Sequence, residues 1–168
     1  MKIIQITGTP GTGKTEISKQ LKSQLKNFKV RYINIKSFAK KHELYDKYDK
    51  KKDCYVIKET KLRKYFLDYI QKLDYDYIII DSHILFLTKS KLDLVIVLTS
   101  DLKILEKRLK NRKYKKNKIK ENIECEIFDY CFNECFDKNY KKVLKLRNNT
   151  KKQQKENISI IRKEILKL

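Results

Sequence analysis

The sequence predicts an α/β domain in which helices cover both faces of a parallel five-stranded sheet. Apolar β-branched runs alternate with helical patterns along all 168 residues, and this alternation is typical of doubly wound domains. The runs are continuously apolar, which indicates strands that are buried on both faces. Ligands of such domains bind at the carboxyl ends of the strands, so we expect the active site there.

The predicted elements follow one another without a linker. Strands are expected at residues 2–7, 30–35, 77–81, 92–98 and 143–146, and helices at 14–27, 36–41, 60–72, 101–111, 117–138 and 156–168. Asp101 is expected to act as the N-cap of its helix. The tyrosine-rich segment 42–56 has no clear period. No repeat divides the chain, so we expect a single domain over residues 1–168.

A glycine-rich segment separates the first predicted strand from the first predicted helix. Residues 8–15 read Gly-Thr-Pro-Gly-Thr-Gly-Lys-Thr and complete the pattern GxxxxGK[ST] of a phosphate-binding loop. All three glycines of the chain lie here, and glycine tolerates the positive φ angles and close approach that such a loop requires. The alternative is a set of turn glycines without a ligand. The strand before the loop and the helix after it favour nucleotide binding.

Each part of this loop has a separate expected role. The amides of Gly11, Gly13, Lys14 and Thr15 should surround the β-phosphate of ATP at a helix N-terminus. The Lys14 ammonium should contact the β and γ oxygens, and the Thr15 hydroxyl should ligate Mg²⁺. Glu16, in the first helical turn, completes the expected ATP-binding set and suits the helix dipole.

A second motif follows the third predicted strand, which ends in Asp81-Ser82-His83. An Asp in this place is expected to act with Thr15 at the Mg²⁺ site. The alternative for Asp81 is a carboxylate that caps the next turn. His83 should point to the same side, where it would orient a water or stabilise charge near the γ-phosphate. A structural histidine is the alternative.

A basic cluster connects the predicted helices 101–111 and 117–138. Arg108 and Arg112 are four residues apart and therefore share a helix face. Arginines folded over the site would stabilise the charge of phosphoryl transfer, so both are candidate catalytic residues. The alternative is a solvated basic face. The lysines of the cluster are Lys107, Lys113, Lys115 and Lys116.

Composition limits the partners and the compartment. The net charge of +21 suggests an anionic partner such as RNA or a ribosomal particle. A compositional bias towards lysine explains the charge equally well, and the salt dependence of binding would separate the two explanations.

The four cysteines contain no C-x-x-C pair, so no structural zinc site is expected. No apolar run approaches the roughly 20 residues that span a bilayer, so we expect a soluble intracellular protein without a membrane partner.

Five colinear segments resemble the adenylate kinase isoenzyme 6 family, also described as broad-specificity nucleoside monophosphate kinases. They are GTPGTGKT at residues 8–15, YINIK at 32–36, ELYDKYDKKKDCYVI at 43–57, DSH at 81–83 and EKRLKNRKYKKNKIKENIECEIFD at 106–129. The resemblance implies a three-layer P-loop NTPase with strand order 2-3-1-4-5. It also implies a monophosphate-binding arm at 34–57 and a short lid at 111–121.

The same resemblance implies function. Members catalyse ATP + AMP ⇌ 2 ADP, show ATPase activity and are linked to maturation of the small ribosomal subunit through ribosomal protein uS11. Arg112 matches the lid arginine that contacts ATP, and the expected contacts of AMP or another monophosphate in the arm are Asn34, Ser37, Lys40 and Tyr45. A monomer in the cytoplasm is implied, and also in the nucleus if the source is eukaryotic.

Three departures from the family pattern affect these expectations. The arm commonly reads G-D-L-A-R, whereas residues 36–40 here read KSFAK. Lys40 lacks the bidentate geometry of the arginine that it replaces, which questions the preference for AMP. Lys58 stands at a position that is usually acidic. Lys113 replaces the usual lid glycine, which predicts a stiffer hinge.

These departures keep two rivals of the kinase open. The first is a ribosome-assembly ATPase with residual kinase activity, and the second is a small-metabolite kinase. An assay of ADP formation with and without AMP separates the ATPase from the nucleoside monophosphate kinase, whereas phosphate transfer only to a non-nucleotide acceptor would indicate the small-metabolite kinase.

Overall fold

The computed structural model describes residues 1–49 and 54–168. The seven strands in this part of the chain are β1 Lys2–Thr7, β2 Val30–Asn34, β3 Lys47–Asp49, β4 Cys54–Val56, β5 Tyr77–Asp81, β6 Leu94–Thr99 and β7 Val143–Arg147. The helices are α1 Lys14–Gln24, α2 Ile35–Lys41, α3 Glu59–Ile70, α4 Leu102–Asn111, α5 Lys116–Ile127, α6 Tyr130–Asp137 and α7 Lys151–Ile165.

Five of these strands form one parallel sheet in the order β2-β5-β1-β6-β7. Counted without the separate β3–β4 pair, this is the expected order 2-3-1-4-5, so the predicted topology is confirmed. The register places Asn34 beside Asp81 and Asp81 beside Ile6. The carboxyl ends of β1, β2 and β5 therefore meet at one edge of the sheet.

Two apolar layers enclose the sheet, as the continuously apolar strands predicted. On one face, α2, α3 and α6 pack on the sheet through residues that include Phe38, Phe66 and Cys135. On the other face, α1 and α7 contribute Leu21 and Ile161 among others. A small third cluster joins α4 to α5. The three-layer α/β architecture is therefore confirmed.

The predicted helix 117–138 is wrong as a single element. It is divided into α5 and α6 at Asp129, whose φ of 49° is left-handed. Ile127, which continues the four-residue apolar spacing of Ile119 and Ile123, is 54% exposed, whereas Cys135 on α6 is buried. Since α5 packs on α4 and α6 packs on the sheet, one straight helix does not serve both layers.

Smaller differences concern turns and element ends. The segment 42–56 contains the antiparallel pair β3–β4, and residues 50–53 of the predicted arm lie outside the described residues. Helix α7 begins five residues before its predicted start because the Thr150 hydroxyl accepts a hydrogen bond from the Gln153 amide at 3.1 Å. Asp101 occupies the N-cap position of α4, but its side chain forms no capping bond.

Candidate nucleotide-binding site

The glycine-rich loop connects β1 to α1 and needs glycine for steric reasons. Gly8 has a φ of 133°, and a Cβ there would lie 2.2 Å from the Leu98 carbonyl oxygen. Gly13 has a φ of 100° at the N-cap of α1, and a Cβ there would lie 2.4 Å from Asn148 Nδ2. A side chain at either position would strain the backbone and collide with a neighbour. Glycine at these positions therefore lets Leu98 and Asn148 pack closely against the loop and hold its shape.

Lys14 is folded into this loop. Its Nζ donates to the carbonyl oxygens of Gly8 at 2.6 Å and Thr9 at 3.0 Å. Burial lowers its pKa from 10.5 to about 8, and the nearby carboxylate of Asp81 opposes part of this effect. A phosphate would replace the weak carbonyl partners with full negative charge, so the arrangement suits an anionic ligand.

Asp81 is the point where three elements meet. Its Oδ2 accepts hydrogen bonds from Thr15 Oγ1 at 2.6 Å, Asn34 Nδ2 at 2.8 Å and the Tyr32 hydroxyl at 3.0 Å. Asp81 is 3% exposed. The loop hydroxyl and the strand carboxylate, which were predicted as metal partners from separate motifs, are thus in direct contact.

This oxygen pair fits Mg²⁺, which is bound in nucleotide sites by one or two protein oxygens and by substrate phosphates. The glycine loop and the half-buried ammonium of Lys14 beside it fit a polyphosphate. In the described part of the chain, no group of three or more His, Cys, Asp or Glu side chains is arranged to hold a metal ion. A helix long and apolar enough to cross a membrane is not found among the same residues.

His83 follows Asp81 by two residues and is exposed. Desolvation by neighbouring protein groups lowers the pKa of its imidazole to about 4. The positive charges of Lys14, Lys118 and Lys36 act in the same direction. The imidazole of His83 is therefore neutral at pH 7 and lies within electrostatic range of these three lysines.

Arg108 is bound to main-chain carbonyls. Its Nη1 donates to Asn148 O at 2.9 Å and Gly11 O at 3.3 Å, and its Nη2 donates to Asn149 O at 2.8 Å. The guanidinium therefore joins the phosphate-binding loop to the loop after β7. Arg112, the C-cap of α4, is exposed.

Both arginines line a cavity of about 440 Å³ beside the glycine loop. The other lining residues are Gly11, Gly13, Asn111, Asn148, Asn149, Thr150, Lys151 and Gln154. A cavity of about 560 Å³ lies at the opposite end of α1, around residues 23–28 and Arg162. It contains none of the predicted site residues, since α1 separates it from the loop by about 16 Å.

The predicted acceptor contacts are only partly brought together. Asn34 reaches Asp81, and its Oδ1 accepts a hydrogen bond from the Ser37 amide at 3.0 Å. The Tyr45 hydroxyl donates to Lys36 O at 3.0 Å. Lys40 and the Ser37 side chain are exposed on α2. Their contact with a monophosphate stays a prediction.

Glu16 is exposed in the first turn of α1, where its carboxylate accepts a hydrogen bond from Gln20. The expected contribution of Glu16 to ATP binding stays a prediction.

Sequence reasoning missed Tyr32, Asn148 and Asn149. Tyr32 lies two residues before Asn34, so strand periodicity would have placed both on one face. Asn148 donates from Nδ2 to the Thr12 carbonyl at 2.7 Å and thereby supports the glycine loop. Two consecutive asparagines one residue beyond the predicted strand 143–146 were an available signal, because such positions lie at the carboxyl edge of the sheet.

Comparison with known proteins places this site in a family. Residues 4–129 match the family described as "AAA domain". The chain is 39% identical over 132 residues to the adenylate kinase isoenzyme 6 homolog of Dictyostelium discoideum, a match that covers 78% of this chain and 72% of the relative. It is 32% identical over 177 residues to the homolog of the same name from Plasmodium falciparum, with 97% and 95% covered.

A solved structure agrees in fold. Shikimate kinase from Bacteroides thetaiotaomicron superposes with a TM-score of 0.60 over 99% of each chain at 13% sequence identity, a likeness that concerns the fold alone. The sequence matches confirm the expected enzyme class, an ATP-dependent phosphotransferase. With its intact loop and Asp-x-His motif, the chain belongs to the adenylate kinase isoenzyme 6 family.

Proposed function

We propose that the protein is a Mg²⁺-dependent nucleoside monophosphate kinase that transfers the γ-phosphoryl group of ATP to AMP or another monophosphate. The observation that carries this proposal is the convergence on Asp81. Thr15, from the loop expected to hold ATP, and Asn34, at the start of the expected acceptor arm, both bond to its carboxylate. The expected donor and acceptor sites would thus meet at one buried group.

The donor would occupy the glycine loop and the adjoining cavity. Lys14 would turn from the Gly8 and Thr9 carbonyls to the β and γ oxygens, and Arg112 would close over the nucleotide from the end of α4. Arg108 is held by carbonyls on both sides of the cavity, so it would shape the donor site by positioning two loops. Phosphoryl transfer requires such positioning and charge neutralisation more than covalent chemistry.

Thr15 and Asp81 would hold Mg²⁺, which bridges β and γ oxygens and neutralises charge when bound. The acceptor would lie along the arm, 34–57, with Ser37, Lys40 and Tyr45 as its predicted contacts, and the lid, 111–121, would cover the donor. Neutral His83 would accept a hydrogen bond from a water or an acceptor group near the γ-phosphate. The charges of Lys14, Lys36 and Lys118, which act on His83, would attract the phosphates.

The test is ADP formation by wild type and Lys14→Ala, with and without AMP. The kinase proposal expects strong dependence on AMP and a loss of at least 100-fold in kcat/KM for the variant, since the lysine neutralises transition-state charge. Lys19→Ala, an exposed lysine on the same helix, is the matched control. Normal transfer by Lys14→Ala would contradict the proposal, and transfer only to a non-nucleotide acceptor would indicate a small-metabolite kinase.

A second function is favoured by the surface around α5 and α6. Ile127, Phe128, Tyr130 and Phe136 are each more than half exposed. Residues 121–137 contain six acidic side chains and no Lys or Arg, in a chain of net charge +21. Exposed aromatic groups beside acidic groups suit a basic protein, and the remaining basic surface suits RNA. This surface favours the alternative that the family resemblance implies, an ATPase of small-subunit assembly with ribosomal protein uS11 and a pre-ribosomal particle as partners.

The same assay separates this alternative from the kinase. Turnover that is independent of AMP and stimulated by purified uS11 would support the assembly ATPase. Phe128→Ser and Phe136→Ser should then reduce that stimulation without changing basal turnover. Stimulation that is equal in these variants would contradict a role for this surface.

A further inference from the structure

One amide group joins the start of the arm to the metal-site carboxylate. Asn34 Nδ2 donates to Asp81 Oδ2 at 2.8 Å, while Asn34 Oδ1 accepts from the Ser37 amide at 3.0 Å. The second contact is the N-cap bond of α2, the first helix of the arm. Because the carboxamide is planar, its two ends move together. A change in the position of Asp81 therefore alters the geometry of the cap.

The sheet fixes this arrangement. Asn34 and Asp81 are register partners at the last positions of neighbouring parallel strands. The Tyr32 hydroxyl, from the same face of β2, reaches the same Asp81 oxygen at 3.0 Å without contacting α2 through that bond. The Asp81 carboxylate thus accepts two side-chain hydrogen bonds from β2. Of the two donors, only Asn34 is also bonded to α2.

We propose that Asn34 is a positioning residue that transmits loading of the metal and nucleotide site to α2. The inference rests on the proposed function in treating α2 as part of the acceptor arm. Ordering of the Asp81 carboxylate by a bound metal would fix the Asn34 amide and keep the cap closed. The first turn of α2 would then open less often, so the arm would be prepared for the acceptor when the donor is in place.

The test is hydrogen exchange of the α2 amides in the full chain. The ADP complex is compared in EDTA and in Mg²⁺, at concentrations that saturate each variant as measured by calorimetry. In wild type, Mg²⁺ should slow exchange of the Ser37 amide and the following turn about 5-fold or more, the lower range of measured site-to-site couplings. Amides of α7, on the opposite face of the sheet, serve as the internal reference.

Asn34→Ser separates the two contacts. Serine caps helices well, so α2 should keep its bond from the Ser37 amide, but its shorter side chain does not reach Asp81. The effect of Mg²⁺ on α2 should therefore disappear. Tyr32→Phe is the matched control because it removes the other tether of Asp81, and the effect of Mg²⁺ should persist. Asn34→Asp is a second variant that keeps a cap and repels Asp81.

Two results would overturn the inference: slowing that persists in Asn34→Ser and Asn34→Asp, or no slowing in wild type. If Asn34 instead contacted the acceptor directly, Asn34→Ser would raise the KM for AMP and leave the effect of Mg²⁺ on α2 intact. The exchange measurement needs no acceptor, so a protein that phosphorylates no monophosphate can still show the coupling. If the protein phosphorylates AMP but Mg²⁺ does not slow exchange in α2, this inference is wrong and the proposed kinase function still holds.

Discussion

The ammonium of Lys14 lies among loop carbonyls, and burial lowers its pKa to about 8. A lysine in the unfolded chain keeps its proton up to about pH 10.4. Between these two values the unfolded state binds more protons than the folded state, so the contribution of Lys14 to the free energy of unfolding rises with pH. A bound phosphate would raise the pKa of Lys14 and narrow this interval.

Lys14→Met should remove this dependence. We expect the free energy of unfolding of wild type, relative to the variant, to increase by roughly 1–2 kcal/mol between pH 8 and pH 10.5, a value reduced to allow for the partial exposure of the residue. Urea unfolding of nucleotide-free protein at several pH values measures it. Lys19→Met, on the exposed side of α1, should parallel wild type. If the free energy of unfolding of Lys14→Met changes with pH in the same way as that of wild type, the Lys14 ammonium is not desolvated.

His83 provides a second titration at the residue scale. Its pKa is lowered to about 4 by desolvation and by Lys14, Lys118 and Lys36. The unfolded state therefore binds the proton more readily between about pH 4 and pH 6.5, and the contribution of His83 to stability is lost as the pH falls through this interval. A nucleotide would place negative charge beside the ring and raise its pKa.

Ring-proton NMR should detect both effects. We expect a midpoint near pH 4 without ligand and a clear rise with ATP, since phosphates offset the three lysines. His83→Gln identifies the signal, because the chain has only one other histidine, His42. If the midpoint of the His83 titration is the same with and without ATP, His83 does not lie near the bound phosphates.

At the scale of elements, the turn between α4 and α5 explains one departure from the family pattern. Lys113 follows the C-cap of α4 and has a φ of 58°. This left-handed conformation is the one that glycine adopts without strain after a helix. The family glycine at this position therefore has a local backbone reason, and Lys113 keeps the same conformation at a cost.

Lys113→Gly should relieve this cost. We expect an increase of about 0.5–1 kcal/mol in the free energy of unfolding, which is the left-handed strain less the greater entropy of glycine in the unfolded chain. Lys107→Gly, at an exposed position inside α4, should instead destabilise by about 1 kcal/mol. Thermal unfolding of the two variants measures both the expected stabilisation by Lys113→Gly and the expected destabilisation by Lys107→Gly. Destabilisation by Lys113→Gly would indicate that the lysine side chain supports the turn.

The division between α5 and α6 shows a limit of periodicity at the same scale. Ile119, Ile123, Ile127 and Cys131 continue one helical pattern, so the sequence predicted one helix. The chain turns at Asp129, whose carboxylate is paired with Lys145 at 2.7 Å. Packing of α5 on α4 and of α6 on the sheet overrides the continuous helical pattern. The spacing of apolar residues does not show which of these two partners each residue contacts.

At the scale of the whole molecule, the net charge of +21 acts through long-range attraction. If the positive charge is spread evenly over the surface, the protein should bind any single-stranded RNA weakly. The affinity should then decrease with increasing salt concentration to the same extent for every RNA sequence. If it forms a docking site, ribosomal RNA should bind more tightly than an unrelated RNA of equal length at the same salt. Fluorescence polarisation between 50 and 200 mM salt distinguishes these, and no RNA binding at 50 mM would assign the charge to composition alone.

The sequence determined the parts of this protein that depend on neighbouring residues. The glycine loop, the apolar strands and the Asp-x-His motif each lie within a few positions, so their local pattern was sufficient to predict the parallel sheet and to propose a candidate site at its carboxyl edge. The tertiary structure decided which of these parts touch. Tyr32 and Asn34 reach Asp81, and Asn148 supports the loop from the far end of the chain, because strand order and register bring together residues that the sequence separates widely.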